Sequence, residues 1–232
     1  MKNVWHDQSL PVRFFIWLRE LVVDDYGISS VAVPSNLLPF LNGLQKLELR
    51  NCDSVEQVFG PALPNVDGRT FEHLSQLKEL QLIDLPRLRQ VWSDVPKGFL
   101  NFKNLKVLKI RNCRSLRNVF TVGMCSGLVQ LQEVEVKSCD MVEFIVAKGV
   151  SVEGTSVDDI KFPLLNSITL ESLPSLNNFN SGSGVVHCPA LKAITIVDCP
   201  TTFASTFLRL LESLKTDKNA EPKVSYYRLM QC

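Results

Sequence analysis

Apolar residues recur along the chain in one fixed pattern, which is clearest between Leu105 and Phe120. With Leu105 counted as position 1, apolar side chains occupy positions 1, 4 and 6, a Cys or Leu occupies position 9, and apolar side chains return at positions 12 and 15. Over its whole length this spacing is neither that of a helix nor that of an alternating strand. The pattern therefore indicates one unit of a repeat protein.

Seven such units align along the chain. They start 26, 33, 28, 26, 34 and 26 residues apart, and the longer steps contain insertions at about 60–70 and 147–161, the second of which is polar, locally acidic and expected to be a surface loop. Three residues before each start lies a bulky or apolar side chain, from Phe15 in the first repeat to Cys188 in the seventh. Position 1 of repeats one to seven falls at Leu18, Leu44, Leu77, Leu105, Leu131, Leu165 and Leu191.

The first six positions of each repeat predict a short strand whose alternate side chains point inward. Position 1 must recur one strand spacing away, so the rest of each repeat has to turn back. No repeat can bury its own apolar side chains, and stacking buries them as one continuous column. The fold class expected is an α/β solenoid, a leucine-rich-repeat horseshoe with a parallel sheet on its concave face and irregular or short helical segments on its convex side.

The repeats predict one solenoid over residues 1–214, with a capping helix near 203–214 and a loose tail at 215–232. Val4 and Trp5 resemble Val91 and Trp92, which close the third repeat, so the chain is expected to start in the middle of a repeat. A solenoid needs a polar capping repeat at each end. The expectation is therefore that the chain is the C-terminal part of a longer protein or a truncated gene product.

The composition limits which cellular compartment and which classes of partner are expected. The formal net charge of +1 over 232 residues implies no strongly charged polymer as partner. No apolar run is long enough to span a membrane, the first eight residues do not form a signal peptide, and no Asn-x-Ser/Thr acceptor site occurs. The location expected is cytoplasmic, with a nuclear location or attachment to a membrane through partners as alternatives.

Few residues are candidates for a disulfide, a catalytic site or a metal site. Four of the seven cysteines occupy position 9, and Cys113 and Cys139 fall at equivalent positions of adjacent repeats, within disulfide range. A reducing compartment favours the other interpretation, in which the position-9 side chain supports the turn. His187 and Cys188 form a possible base and nucleophile pair, but Cys188 is expected to point into the core. The three histidines lie in unrelated registers, so no metal site is expected.

The stretch from Lys103 to Arg117 carries six basic residues. Nucleic-acid binding needs these cations to form one coherent patch. In the repeat pattern they alternate between faces, so most are expected to be solvated surface.

Two further segments carry a resemblance to a known family. FKNLKVLKIRNCRSLRNVF, and FPLLNSITLESLPSLNNF followed by a Ser/Gly run and CPALKAITIVDCP, resemble the C-terminal repeats of plant intracellular immune receptors. These are disease resistance proteins of the coiled-coil, nucleotide-binding, leucine-rich-repeat class. The resemblance covers about residues 3–200, and the chain lacks the phosphate-binding loop of that class.

The resemblance implies a non-catalytic protein-interaction module of plant innate immunity. Such a module recognises a pathogen effector or a guarded host protein, or holds the receptor's own nucleotide-binding domain inactive. No cofactor is expected in this chain, because the nucleotide would belong to an upstream domain. The alternatives are a substrate receptor of the F-box type and a non-functional truncated receptor fragment.

Positions 3, 5 and 7 of each strand are expected to face outward on the concave side, where solenoids bind their partners. Position 7 gives a mostly basic stripe in the middle repeats, with acidic residues beside it. The other interpretation is an ordinary solvated face with cross-strand pairs such as Lys109–Glu135. The candidate partner-binding residues are Lys46, Glu48, Arg50, Ile83, Lys109, Arg111, Glu133, Glu135 and Lys137.

Overall fold

The computed structural model describes residues 12–25, 29–60, 73–91, 102–148, 159–182, 184–203, 207 and 223–228. Within them a short α-helix, α1 (Val122–Cys125), and two 3-10 helices (Val12–Trp17 and Leu38–Phe40) accompany the strands, and residues 201–203 and 207 are also helical. The strands are β1 (Glu20–Asp24), β2 (Val31–Val33), β3 (Lys46–Arg50), β4 (Gln57–Phe59), β5 (Glu79–Ile83), β6 (Val107–Arg111), β7 (Asn118–Thr121), β8 (Glu133–Lys137), β9 (Phe144–Ala147), β10 (Ile160–Lys161), β11 (Ser167–Glu171), β12 (Asn178–Asn180), β13 (Val186–His187), β14 (Ala193–Val197) and β15 (Lys223–Arg228).

Eight parallel strands form the main sheet, in the order β1-β3-β5-β6-β8-β11-β14-β15. Seven of them are positions 3 to 7 of the seven repeats, and they pair without a register shift from β1 to β14 although the repeats differ in length. The leucine-rich-repeat solenoid expected from the sequence is thus confirmed.

The core is the column of inward side chains that the repeat predicts. In repeat four, Leu105, Leu108, Ile110, Cys113 and Leu116 are all completely buried, and the equivalent residues of repeats two to six are almost completely buried. The recurring side chain three residues before position 1 closes the column, with Phe102 and Phe162 buried and Cys188 partly buried against the core. Burying one such side chain is worth about 1.5–3 kcal/mol, so the column accounts for most of the driving force.

The return segments differ in part from the irregular or helical segments expected. Besides α1 and the 3-10 turns they contain short parallel strands, which form a three-stranded sheet (β12-β9-β7) and two pairs (β2-β4 and β10-β13). Runs of two to four residues with Asn and Thr among them carry no alternation from which strands are readily predicted.

The C-terminal segment also departs from expectation. Strand β15 lies within the tail expected to be loose, yet it pairs in parallel with β14 and extends the main sheet. Residues 201–203 are helical, and so is Phe207, whose ring stacks on Phe203 with 5.5 Å between centroids. The rest of the expected capping helix lies outside the described residues, as do most of the two insertions and residues 1–11, where the mid-repeat start falls.

Candidate partner-binding face

The outward side chains of the main sheet form one surface, called here the open face. It consists of positions 3, 5 and 7 of strands β1, β3, β5, β6, β8, β11 and β14, whose backbones are in register. These side chains are half-buried or exposed, while positions 4 and 6 between them are buried, apart from a half-buried Leu21. All nine residues predicted for partner binding lie on this face.

The first charged group on the open face is centred on Arg50. Its guanidinium lies 2.9 Å from Asp24 on the neighbouring strand and 3.4 Å from Glu48 on its own strand. Glu48 also lies 3.4 Å from Lys46, and Lys46 reaches across to Glu79 at 3.8 Å. Three carboxylates thus surround two cations, so this group presents no free positive charge.

The second group is centred on Glu135, whose side chain is only 12% exposed. Arg111 donates a hydrogen bond of 2.6 Å from Nε to Oε1 of Glu135, and Lys137 lies 3.6 Å from Oε2 of the same carboxylate. Lys137 continues to Glu171 on the next strand at 3.0 Å. One carboxylate therefore holds two cations from two strands.

The pair expected between Lys109 and Glu135 does not form at ion-pair distance. Lys109 lies opposite Glu135 in the strand register, but its ammonium is 3.5 Å from Glu133. The carboxylate of Glu135 is instead bound by Arg111. The planar guanidinium matches a carboxylate better than an ammonium does. The strand register was predictable, but the choice of partner depends on side-chain reach.

The charges around Glu135 alter its titration. Partial burial alone would raise the pKa of Glu135, but the hydrogen bond from Arg111 and the charges of Lys137, Arg111 and Lys109 outweigh burial and lower it. The hydrogen bond to Glu135 raises the pKa of Arg111, and the hydrogen bond to Glu171 raises the pKa of Lys137. These directions favour the charged forms of Glu135, Arg111 and Lys137 at neutral pH, so the ion pairs among them are intact there.

The structure thus brings the predicted residues together in two clusters instead of one basic stripe. Lys46, Glu48 and Arg50 form one cluster, and the five predicted residues from β6 and β8 form the other. Ile83, which lies opposite both Arg50 and Arg111, separates the two along position 7.

Repeats six and seven continue the open face without this charge. Apart from Glu171, strands β11 and β14 present Ser167, Thr169, Ala193, Thr195 and Val197. Because hydroxyls and small apolar groups lose less hydration free energy than ions do, this end of the face is the easier one to cover with a partner.

Position 8, directly after each strand, was not singled out from the sequence. All seven residues there adopt the left-handed conformation, with φ between 50° and 54°. Asn, Asp and Ser occupy the position throughout, and the enrichment of Asn and Asp in this conformation is the signal that was available. Asn112 also donates a hydrogen bond of 2.6 Å to Asp84 of the preceding repeat. The seven residues are Asp25, Asn51, Asp84, Asn112, Ser138, Ser172 and Asp198.

The position-9 cysteines are turn-supporting thiols. The Sγ of Cys113 lies 3.5 Å from the carbonyl of Arg111 and 3.8 Å from that of Leu82, and Cys199 makes the equivalent contacts in repeat seven. Cys113 and Cys139 are both buried free thiols. Their mutual hydrogen bond and their burial raise the pKa of Cys113 well above its ordinary value, so it is unreactive at neutral pH.

The geometry at His187 and Cys188 does not form a nucleophile and base pair. The Nε2 atom of His187 lies 3.6 Å from Asp159, at the base of the acidic insertion. Burial raises the pKa of Cys188 to about 12, so the thiolate that nucleophilic chemistry needs is scarce at neutral pH.

Two further features are absent from the described residues. They contain no cluster of three or more His, Cys, Asp or Glu side chains placed to hold a metal ion. No helix in the described ranges is long and apolar enough to cross a membrane.

A comparison with known proteins identifies the family to which the chain belongs. The family model for plant disease resistance protein RPS2-like leucine-rich repeats matches residues 1–140, more than half of the chain. No curated protein and no solved structure matches the chain. Leucine-rich repeats generally mediate contacts between proteins, and those of resistance proteins are typically non-catalytic. The chain therefore belongs to the RPS2-like leucine-rich-repeat family of plant disease resistance proteins and forms a resistance-related repeat module.

Proposed function

We propose that the open face recognises a protein in plant innate immunity. The occupant is a pathogen effector or a guarded host protein, or else the receptor's own nucleotide-binding domain, which the module would hold inactive. The proposal assigns no catalysis and no cofactor to this chain, and its setting is the cytoplasm.

The observation that carries this proposal is the continuity of the open face. Seven strands in register place their outward side chains in three parallel rows, one each for positions 3, 5 and 7. Within a row, side chains on neighbouring strands are about 4.8 Å apart. Interface cores are depleted of charged residues while rims are polar. The section on β11 and β14, which is uncharged apart from Glu171, therefore suits the centre of a contact, and the ion-pair clusters suit its rim.

The proposal has a direct test in a charge swap. Arg111→Glu combined with Glu135→Arg keeps one ion pair at the same place and inverts the pattern that a partner meets. Because the swap also sets a cation beside Lys137, a thermal unfolding midpoint within about 3 °C of wild type is required before affinities are compared. The matched control is the swap Arg114→Asp with Asp140→Arg, a pair 3.9 Å apart in the turns that follow the strands.

The wild-type chain and both swapped chains are expressed in leaf tissue as proximity-labelling fusions, and proteins labelled only by wild type and control are purified. We expect these proteins to bind the Arg111/Glu135 swap at least tenfold more weakly by calorimetry, because complementary charges set register and exclude mismatched partners. Equal affinity of all three chains for every labelled protein would refute recognition by this part of the face.

A further inference from the structure

The edge of the main sheet at which the strands begin has a composition of its own. It consists of the two residues before position 1 and the one after it in each repeat, and it is called here the N-terminal flank. Among these 21 residues (seven repeats of three) no acidic residue occurs. The charged members are Arg19, Lys78, Lys103, Lys106 and Lys192.

Two cations of the flank, Lys78 and Arg19, have neutral hydrogen-bond partners, unlike the cations of the open face. Lys78 donates a hydrogen bond of 3.0 Å to the side-chain oxygen of Gln45, and Arg19 donates one of 3.2 Å to the carbonyl of Gly43. The nearby carboxylates of Glu79 and Glu133, at position 3, belong to the open face and lie against Lys46 and Lys109 there. The positive charge of Lys78 is therefore not cancelled by these acids.

Repeats three and four concentrate this charge. The backbone N–H of Lys106 donates to the carbonyl of Lys78 at 2.8 Å, so the two lysines leave adjacent strands about 4.8 Å apart. Asn104 donates a hydrogen bond of 2.8 Å to the carbonyl of Ser75, which ties the turn of repeat four to that of repeat three. Lys78 and Lys106 are both exposed, and Lys103 lies on the turn that leads into the strand of repeat four.

Beyond these lysines the flank becomes apolar. Val129 in repeat five and Leu164 in repeat six are each 40% exposed, which is high for large aliphatic side chains in this molecule. Pro163 and Pro189 stand beside them on the same edge. The distance from Lys106 to Leu164 is about two strand spacings, roughly 10 Å, and the distance from Lys78 is about three.

We propose that the N-terminal flank of repeats three to six binds a protein segment in which acidic residues are followed by aliphatic ones. Carboxylates of the segment pair with Lys78 and Lys106, and its aliphatic side chains cover Val129 and Leu164. The segment runs along the flank across the strands.

The apolar continuation distinguishes this partner from a nucleic acid. Nucleic acids are bound through phosphate contacts spread along their length, whereas here adjacent lysines are confined to repeats three and four, and Arg19 and Lys192 stand alone in repeats one and seven. The flank is separate from the open face, so failure of this proposal leaves the proposed function standing, and the reverse also holds.

The probe is a fluorescein-labelled peptide containing Asp-Glu-Asp, a Gly-Ser spacer and Leu-Ile-Leu, titrated with the full chain by fluorescence anisotropy. We expect Lys78→Glu with Lys106→Glu to weaken binding at least tenfold, and Val129→Ser with Leu164→Ser at least fivefold. Lys192→Glu is the matched control, because it occupies the same position in repeat seven and is expected to change the affinity less than twofold. Replacing the peptide acids by Asn-Gln-Asn should also weaken binding at least tenfold.

Several results would overturn the proposal. They are no measurable binding of the peptide, binding unaffected by the double lysine reversal, equal loss with Lys192→Glu, and tighter binding of a 20-base-pair RNA than of the peptide through the same lysines. The substituted residues are exposed, so thermal unfolding midpoints within about 3 °C of wild type are required of every variant before its affinity is compared.

Discussion

The buried and open sides of the main-sheet strands differ in how much they vary from repeat to repeat. On the buried side, positions 4 and 6 hold only Leu, Ile and Val in all seven repeats. On the open side, the same strands carry Glu, Lys, Arg, Gln, Ser, Thr, Val, Ala, Ile and Asp. The buried side meets the same neighbours in every repeat, so the column tolerates little change, whereas the open side is constrained by water and by whatever binds there. The side chains that determine the fold thus lie on one side of each strand, and the surface proposed for recognition lies on the other.

The largest effect is expected from the buried side. Ile110→Ala removes three methyl or methylene carbons from a completely buried site between neighbouring repeats, so the free energy of unfolding should fall by about 2–5 kcal/mol. Urea denaturation followed by circular dichroism measures the change. A loss under 1 kcal/mol would mean that the column collapses around cavities, and the distinction between the two sides would weaken.

Substitution at position 8, directly after each strand, should have an intermediate effect on the free energy of unfolding. Asn112→Val places a β-branched residue at φ 54° and removes the hydrogen bond to Asp84, so we expect a loss of about 2 kcal/mol. The comparison variant Asn112→Gly removes the same hydrogen bond without strain and should lose less than 1 kcal/mol. Equal losses in the two variants would assign the cost to the hydrogen bond instead of the backbone.

The Glu135 cluster should give a smaller, pH-dependent effect. A carboxylate whose pKa is lowered by folding stabilises the protein above its unfolded pKa of about 4.3 and loses that stabilisation as the pH falls through the folded value. Glu135→Gln should therefore cost about 1 kcal/mol at pH 7 and flatten the fall in stability below about pH 5. Parallel pH profiles for the variant and the wild type would contradict the direction of this shift.

The smallest effect is expected on the uncharged section of the open face. Thr195→Lys alters a half-buried side chain that lies opposite Thr169, so stability should stay within about 0.5 kcal/mol of wild type. The same urea experiment measures it. A loss above 1.5 kcal/mol would show that this section contributes to the fold and that the open side is less free than proposed.

The sequence predicted the buried column and the orientation of the strands because both follow from one repeated spacing. Leu108 and Ile110 could be placed inside, and Lys109 and Arg111 outside, from alternation alone. The partner of Glu135 could not be predicted, since Arg111 and Lys109 both lie within reach and only the packed rotamers decide between them. Strand β15 was missed because its own segment carries no repeat, and its pairing with β14 is a long-range contact.

The basic flank was also missed, for a different reason. Lys103 and Lys106 were considered together with Arg111 and Arg117 because they are close in sequence. In the fold, the strand carries Arg111 to the open face and the following turn carries Arg117 elsewhere, while Lys78, from another repeat, comes to lie beside Lys106. A linear run of charge was therefore divided, and the patch that replaced it is assembled across repeats.

The unbroken register of the main sheet gives the outward side chains a constant spacing along the molecule. Repeat lengths differ by as many as eight residues (34 against 26), yet the strand pairing from β1 to β14 does not shift. The spacing between neighbouring strands is therefore fixed at about 4.8 Å, and six intervals span roughly 29 Å. Duplication of a whole repeat would add one strand and one interval to the sheet, while growth of a loop would leave every interval unchanged. The length of the open face and the lengths of the loops can thus change independently.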